Sequence, residues 1–244
     1  MNELSFVDKT VLVVGGSSGI GNGIARAFLE HGAAVHVWGT RAAASDYQGE
    51  EGSNLAGLHY AQVDVTDTLA MENYRVPFER LDALVLAQGA AIYGRGEYDL
   101  PKFRKVLEVN LISVMACSLK FYPMLKAAKG SLLTITSGAV FHSTKGNPAY
   151  NASKTGAFAL TRTLADAWAS DGIRVNGIAP GFVDTKMTKV TTEDPVRLDA
   201  TVRKIPLKRL GTPNDMAGVA LFLCSPLAAY IVGQTILADG GRNL

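Results

Sequence analysis

The chain has 244 residues, 24 of them basic and 22 acidic, with 48% apolar and 19% charged residues. That length suits one large α/β domain or two small ones, and the composition is globular rather than disordered. The near-neutral balance, with no basic run of five or more residues, argues against a nucleic-acid or membrane-surface partner.

Thr10–Val14 is a β-branched run, the pattern of a strand buried on both faces. It leads straight into Gly15-Gly16-Ser17-Ser18-Gly19-Ile20-Gly21 and an apolar-periodic helix. Strand, glycine loop and helix in that order offer backbone amides to a phosphate. The spacing Gly-x-x-x-Gly-x-Gly is not the commoner Gly-x-Gly-x-x-Gly, and by itself it also fits a tight turn. After Gly32, Ala34–Gly39 forms a second strand, whose end faces the adenosine ribose in a doubly wound sheet. Gly39-Thr40-Arg41 supplies no acid there, and Arg41 is either a fork for the extra phosphate of NADP or a solvated loop arginine. Residues 42–56 lack periodicity and are expected to form a loop with at most a short helix.

Leu58–Val63 is a third strand ending at Asp64-Val65, where Asp64 accepts from an adenine amino group or caps the turn from Thr66. Ala83–Ala87 is a fourth strand, closed by Gln88-Gly89. Residues 101–128 follow as one long amphipathic segment containing Asn110, which needs partners if buried. Leu132–Ser137, residues 172–179 and the stretch from Gln234 are the remaining strands, and Thr212-Pro213 opens another helix. Residues 186–205 have no steady period and contain Pro195, so they are expected to be a mobile substrate lid.

This alternation predicts a single domain over residues 1–244, a doubly wound parallel sheet of Rossmann type with helices on both faces. Ligands in such folds sit at the C-terminal strand ends, where Gly15–Gly21, Gly39–Arg41, Asp64, Gly89, Ser137 and Pro180–Thr185 all fall. The helix after Ser137 carries Tyr150 and Lys154 one turn apart on one face. An ammonium within ~4–6 Å lowers a phenol's pKa, so the pair with Ser137 is suited to moving a proton to or from a carbonyl or alcohol oxygen. His31, His36, His59 and His142 show no ligand spacing, and no metal site is expected. Cys117 and Cys224 lie far apart in apolar stretches, as two buried thiols in a reducing compartment would. The N-terminal residues lack the basic start and apolar core of a signal peptide, and no apolar run approaches ~18 residues. A cytoplasmic protein spanning no membrane is therefore expected.

Together the glycine pattern, Asp64-Val65, Asn110, Ser137, Tyr150-x-x-x-Lys154, Pro180-Gly181 with Thr185, and Asp239-Gly-Gly resemble the short-chain dehydrogenase/reductase family over nearly the whole chain. Arg209–Asp215 and Gly233–Gly241 resemble its branch of 3-oxoacyl-carrier-protein reductases and sugar or polyol dehydrogenases. The resemblance implies an NAD(P)-dependent interconversion of a carbonyl and a secondary alcohol, with a small-molecule substrate and a homotetramer built on residues 101–128 and 150–170. It makes Tyr150 the general acid/base and Ser137 the group that orients the substrate oxygen. Lys154 would lower the phenol's pKa and hold the nicotinamide ribose, and Asn110 would position a water leading protons from Lys154. Gly15, Ser17, Ser18, Gly19, Ile20, Gly21, Thr40, Arg41, Asp64, Val65, Gly89, Pro180, Gly181, Val183 and Thr185 would line the coenzyme. Val14 and Leu86-Ala87-Gln88-Gly89 depart from the family's usual threonine and Asn-Asn-Ala-Gly, which removes hydrogen bonds beside the cofactor. NADP is weakly preferred over NAD on Thr40-Arg41. A cofactor-binding sensor or scaffold without turnover is the alternative, against which the intact Ser-Tyr-Lys set argues.

Overall fold

β1 (Thr10–Val14), β2 (Ala34–Gly39), β3 (His59–Gln62), β4 (Ala83–Leu86), β5 (Ser131–Ile135), β6 (Arg174–Pro180) and β7 (Thr235–Ala238) form one sheet in the order β3-β2-β1-β4-β5-β6-β7. The computed structural model describes residues 3–244, so Met1 and Asn2 of the N-terminal segment lie outside the described residues. Every strand pairing is parallel, as the apolar runs predict. The chain crosses from the β3 edge back to β4, which lies beside β1, and this reversal opens a crevice at the C-terminal ends of those strands.

Strand side chains alternate between two apolar layers. On β1, Val11 and Val13 join Phe28 of α1 (Gly19–Glu30) and Ala220 of α8 (Pro213–Cys224) in one cluster. Leu12 and Val14 join the other, with Trp38, Met71 of α2 (Thr68–Asn73), and Phe121 and Leu164 from two long helices.

The stretch expected as one helix over 101–128 is divided. α3 (Leu100–Leu107) passes through a π turn at Glu108–Ile112 into α4 (Ser113–Ala128). The wider turn carries Asn110 inward, where it is fully buried. Leu100–Ala128 is long and apolar enough to cross a membrane by length and composition alone. Here Val106, Val114, Cys117, Phe121 and Leu125 bury its inner side, while Ile112 and Leu119 on its outer side remain 47% and 55% exposed.

Residues 186–205 are not an irregular stretch. After α5 (Pro148–Trp168) and β6 come a 3-10 turn at Lys186–Thr188, α6 (Lys189–Thr192) and α7 (Pro195–Arg203). Pro195 opens α7 rather than breaking a helix, and the Asp194 carboxylate caps it by accepting from the Val196 and Arg197 amides. Neither α6 nor α7 contains a buried residue, so no apolar stripe marked them. The loop over 42–56 holds only a 3-10 turn at Ala44–Tyr47, as expected.

Candidate active site

Pro148 occupies the first turn of α5, where its missing N–H costs nothing, and Tyr150 follows two residues later. Lys154, one turn on, is only 4% exposed, and its Nζ donates to the Ile135 carbonyl at the end of β5, 2.7 Å away. Burial brings the Lys154 ammonium down to about 8. Ser137 follows the same strand, and its hydroxyl accepts from the Ala139 amide at 3.1 Å. The Tyr150 phenol is raised above its ordinary value: burial pushes it up, the Ser137 hydroxyl pulls it down, and the Glu97 carboxylate raises it. This reverses the lowering expected from Lys154. Burial, the largest of the three causes, sets that direction.

Tyr150, Lys154 and Ser137 line a cavity of about 350 Å³ together with Gly15, Ser17, Ser18, Gly19, Ile20 and Gly21. Thr40, Asp64, Val65, Gly89, Pro180, Gly181, Val183 and Thr185 complete its predicted lining. A second cavity of about 500 Å³ shares Tyr150 and Ser137 with the first, and runs out between the loop after β4 and the segment after β6. The hydroxyl pair thus stands in a wall common to both.

The first cavity fits a dinucleotide. Gly15 has φ +76°, and a Cβ there would lie 2.8 Å from the Gln88 nitrogen, so the loop passes against the strand end without room for a side chain. A Cβ at Gly39 would meet the Ser17 hydroxyl at 2.7 Å. The Gly19 amide donates to the Gly52 carbonyl at 2.8 Å and the Asn22 amide to the Ser18 carbonyl at 3.2 Å. Ile20 and Gly21 are left as the donors of that helix end for an anion. Gln88, at the floor, donates to the Ser113 hydroxyl at 3.0 Å, while its Oε1 is buried with no partner. That amide ties the end of β4 to α4 from the position of the family's alanine, next to the two positions where its asparagines would stand.

Two predicted residues lie outside the cavity. Asn110 accepts from the Ala90 amide at 2.7 Å and donates to the Ala90 carbonyl at 2.9 Å and the Ser153 hydroxyl at 3.0 Å. Both Nδ2 protons and one Oδ1 lone pair tie the loop after β4 to α5, and the second Oδ1 lone pair is left to accept from a water. The Arg41 guanidinium lies 4.5 Å over the Tyr47 ring and pairs with Glu50 at 2.6 Å, turned toward its own loop. Asp64 lines the cavity and also accepts from the Thr66 amide and hydroxyl. Lys186, which no motif marks, does line the cavity, and its ammonium contacts the same Glu50. Only its position beside Thr185 pointed there. Among the described residues, no group of three or more His, Cys, Asp or Glu is placed to hold a metal ion.

Residues 14–243 match a family described as enoyl-(acyl carrier protein) reductase. The 3-oxoacyl-(acyl-carrier-protein) reductase of Chlamydia pneumoniae is 37% identical over 250 residues, which span 98% of each chain. Galactitol 2-dehydrogenase (L-tagatose-forming) of Cereibacter sphaeroides is 35% identical, over 95% of this chain and 94% of that one. The crystal structure of a candidate 2-deoxy-D-gluconate 3-dehydrogenase from Agrobacterium tumefaciens, with NADP bound, has a TM-score of 0.88 at 32% identity and 99% coverage of each chain. The chain belongs to the short-chain dehydrogenase/reductase family, in the branch of 3-oxoacyl-carrier-protein reductases and polyol dehydrogenases, and is an NAD(P)-dependent enzyme.

Proposed function

We propose that the protein reduces and re-forms the carbonyl of a small anionic hydroxy-ketone with NADP(H), in the cytoplasm, with Tyr150 moving the proton. The observation that carries this reading is the shared wall: Tyr150 and Ser137 face both the glycine-loop cavity and the outer cavity. The nicotinamide, when bound, supplies the hydride. The Ile20 and Gly21 amides would hold the pyrophosphate, Thr40 and Lys186 the adenosine end, and Lys154 the nicotinamide ribose. A phenol raised above its usual value carries its proton at neutral pH, and it donates that proton to the carbonyl oxygen in the reductive direction. The Ser137 hydroxyl holds the same oxygen. The relative with bound NADP and the absence of an acid at Gly39 favour the phosphorylated coenzyme.

The outer cavity favours an anion. Arg95, Arg197 and Arg242 line it, and no aspartate or glutamate does. Asp194 already pairs with Arg197, whereas the Arg242 guanidinium stacks 4.8 Å over Phe182 and forms no ion pair with a carboxylate among the described residues. The turn that carries Arg242 is fixed by Asn243, which donates to Asp239 at 2.7 Å and meets His142 at 3.0 Å. Sugar acids match this chemistry, and the deoxygluconate relative supports it.

The test is Tyr150→Phe, which keeps the ring and removes the proton. Turnover should fall by ~10²–10⁴-fold while NADPH still binds. A Phe variant near wild-type turnover sinks the assignment. A substrate panel of keto-sugar acids, their uncharged polyol counterparts and a 3-oxoacyl carrier protein then tests the substrate class, since only the acids should lose affinity in Arg242→Gln.

A further inference from the structure

Glu97 is 1% exposed, in the short turn Gly96–Tyr98 between β4 and α3. Three N–H donors converge on its carboxylate. Oε1 accepts from the Ile92 amide at 2.9 Å and from Asn147 Nδ2 at 3.1 Å, and Oε2 accepts from the backbone amide of Tyr150 at 2.9 Å. Asn147 Nδ2 also donates to the Ile92 carbonyl at 3.1 Å. No lysine or arginine forms an ion pair with Glu97 among the described residues. An ionised carboxylate, which only accepts, suits three donors.

The Tyr150 amide belongs to the first turn of α5, where an N–H has no partner within the helix. A carboxylate there satisfies that donor and complements the positive end of the helix. Through Ile92 the same side chain holds the loop that presents Ala91 and Tyr93 to the outer cavity. Through Asn147 it holds the residue that enters the helix.

We propose that Glu97 is a positioning residue for Tyr150, locking the first turn of the catalytic helix to the substrate-side loop and keeping a fixed negative charge behind the phenol. The inference rests on Tyr150 as the proton donor. The charge has its own consequence, since it favours the protonated phenol. The other groups around that phenol are Ser137 from the β5 end, Lys154 on the same helix and Tyr93 on the loop. Arg95, His142, Arg197 and Arg242 line the outer cavity. Replacing Glu97 by glutamine alters the charge of none of these groups. Carbonyl reduction needs the phenol protonated, so its rate falls as pH rises through the Tyr150 pKa, and removal of the charge should move that fall to lower pH.

Glu97→Gln keeps the size, removes the charge and turns one N–H toward a donor it cannot accept from. The reductive kcat should fall by roughly 10–100-fold, as expected for a misplaced catalytic group, with coenzyme affinity unchanged and the alkaline limb of the pH profile displaced downward. Glu97→Asp, which keeps the charge on a shorter arm, should lose kcat but leave the limb where the wild type has it. A glutamine variant with an unmoved limb, or with wild-type kcat, overturns the proposal. If the glutamine variant does not fold, the aspartate variant decides: reduced kcat on an unmoved limb supports it, and wild-type kcat overturns it. Near wild-type turnover in Tyr150→Phe would instead reject the assignment of the proton donor, which distinguishes the two failures.

Discussion

Lys154→Met should make the protein more stable while removing most of its turnover. The ammonium is 4% exposed and its pKa falls from 10.5 to about 8, with burial as the cause. One pKa step is about 1.4 kcal/mol, so keeping that charge in its site costs about 3 kcal/mol at neutral pH. Methionine fills a similar volume without the charge. Against this stands the bond from Nζ to the Ile135 carbonyl, whose loss costs about 1–2 kcal/mol. The net gain is about 1–2 kcal/mol, or roughly 2–6 °C in melting temperature for a chain of this size. The pH dependence identifies the cause. Between pH 8 and 10.5 the unfolded chain holds the Lys154 proton and the folded chain does not. Wild-type stability therefore rises across that window, and the advantage of the methionine variant is full below pH 8 and lost by pH 10.5. Calorimetric melts of both proteins without coenzyme, at neutral and alkaline pH, measure it. A variant that melts below the wild type at pH 7, or a difference that does not shrink with pH, would refute the burial argument.

Coenzyme choice should depend on Lys186 more than on Arg41, because only Lys186 lines the dinucleotide cavity. Lys186→Ala should weaken NADPH by ~10–150-fold with little effect on NADH, the scale of one charge-assisted bond. Arg41→Ala should do less. Glu50→Gln, which releases both cations, should tighten NADPH; equal loss of the two coenzymes in titrations of Lys186→Ala would contradict this reading. The outer side of the π turn and α4 leaves Ile112 and Leu119 uncovered and should be closed by another copy of the chain in a homotetramer. Light scattering should give a multiple of 25.9 kDa that Leu119→Asp reduces, and a single-chain mass for the wild type would end the proposal.

The central strands β1, β4, β5 and β6 were legible because each is a largely apolar run buried on both faces, whereas the edge strands β3 and β7 contain no fully buried residue. Val11 through Val14 are all at most 1% exposed, and no surface pattern could disguise them. The π turn at Glu108–Ile112 was hidden for the opposite reason. A single widened turn barely disturbs the apolar period on either side, and its sign is the asparagine drawn inward rather than any break in the sequence. The helices within 186–205 were missed because they bury nothing: α7 is held by its Asp194 cap and by ion pairs such as Arg203 with Asp199. A rule that finds helices by an apolar stripe cannot find one that has none.

The site divides along the same line. The glycine loop, Ser137, Tyr150 and Lys154 are close in sequence to the strand ends that place them, so spacing, convergence on those ends and the family resemblance pointed to them together. The charges that tune them come from elsewhere. Glu97 reaches the Tyr150 amide across 53 positions, and Glu50 meets Lys186 across 136. No local pattern relates such pairs, and each carboxylate on its own looks like a solvated loop residue. Burial is what separates them. Glu97 is enclosed and meets only N–H donors, one of them the Tyr150 backbone amide, and its charge raises the phenol less than burial does. Glu50 stays partly exposed between the two partly exposed cations Arg41 and Lys186, and a coenzyme phosphate that offers Lys186 a stronger partner should displace it. The two acids should therefore act differently on one cleft, Glu97 as a fixed support of the proposed proton donor and Glu50 as an exchangeable partner at the coenzyme end.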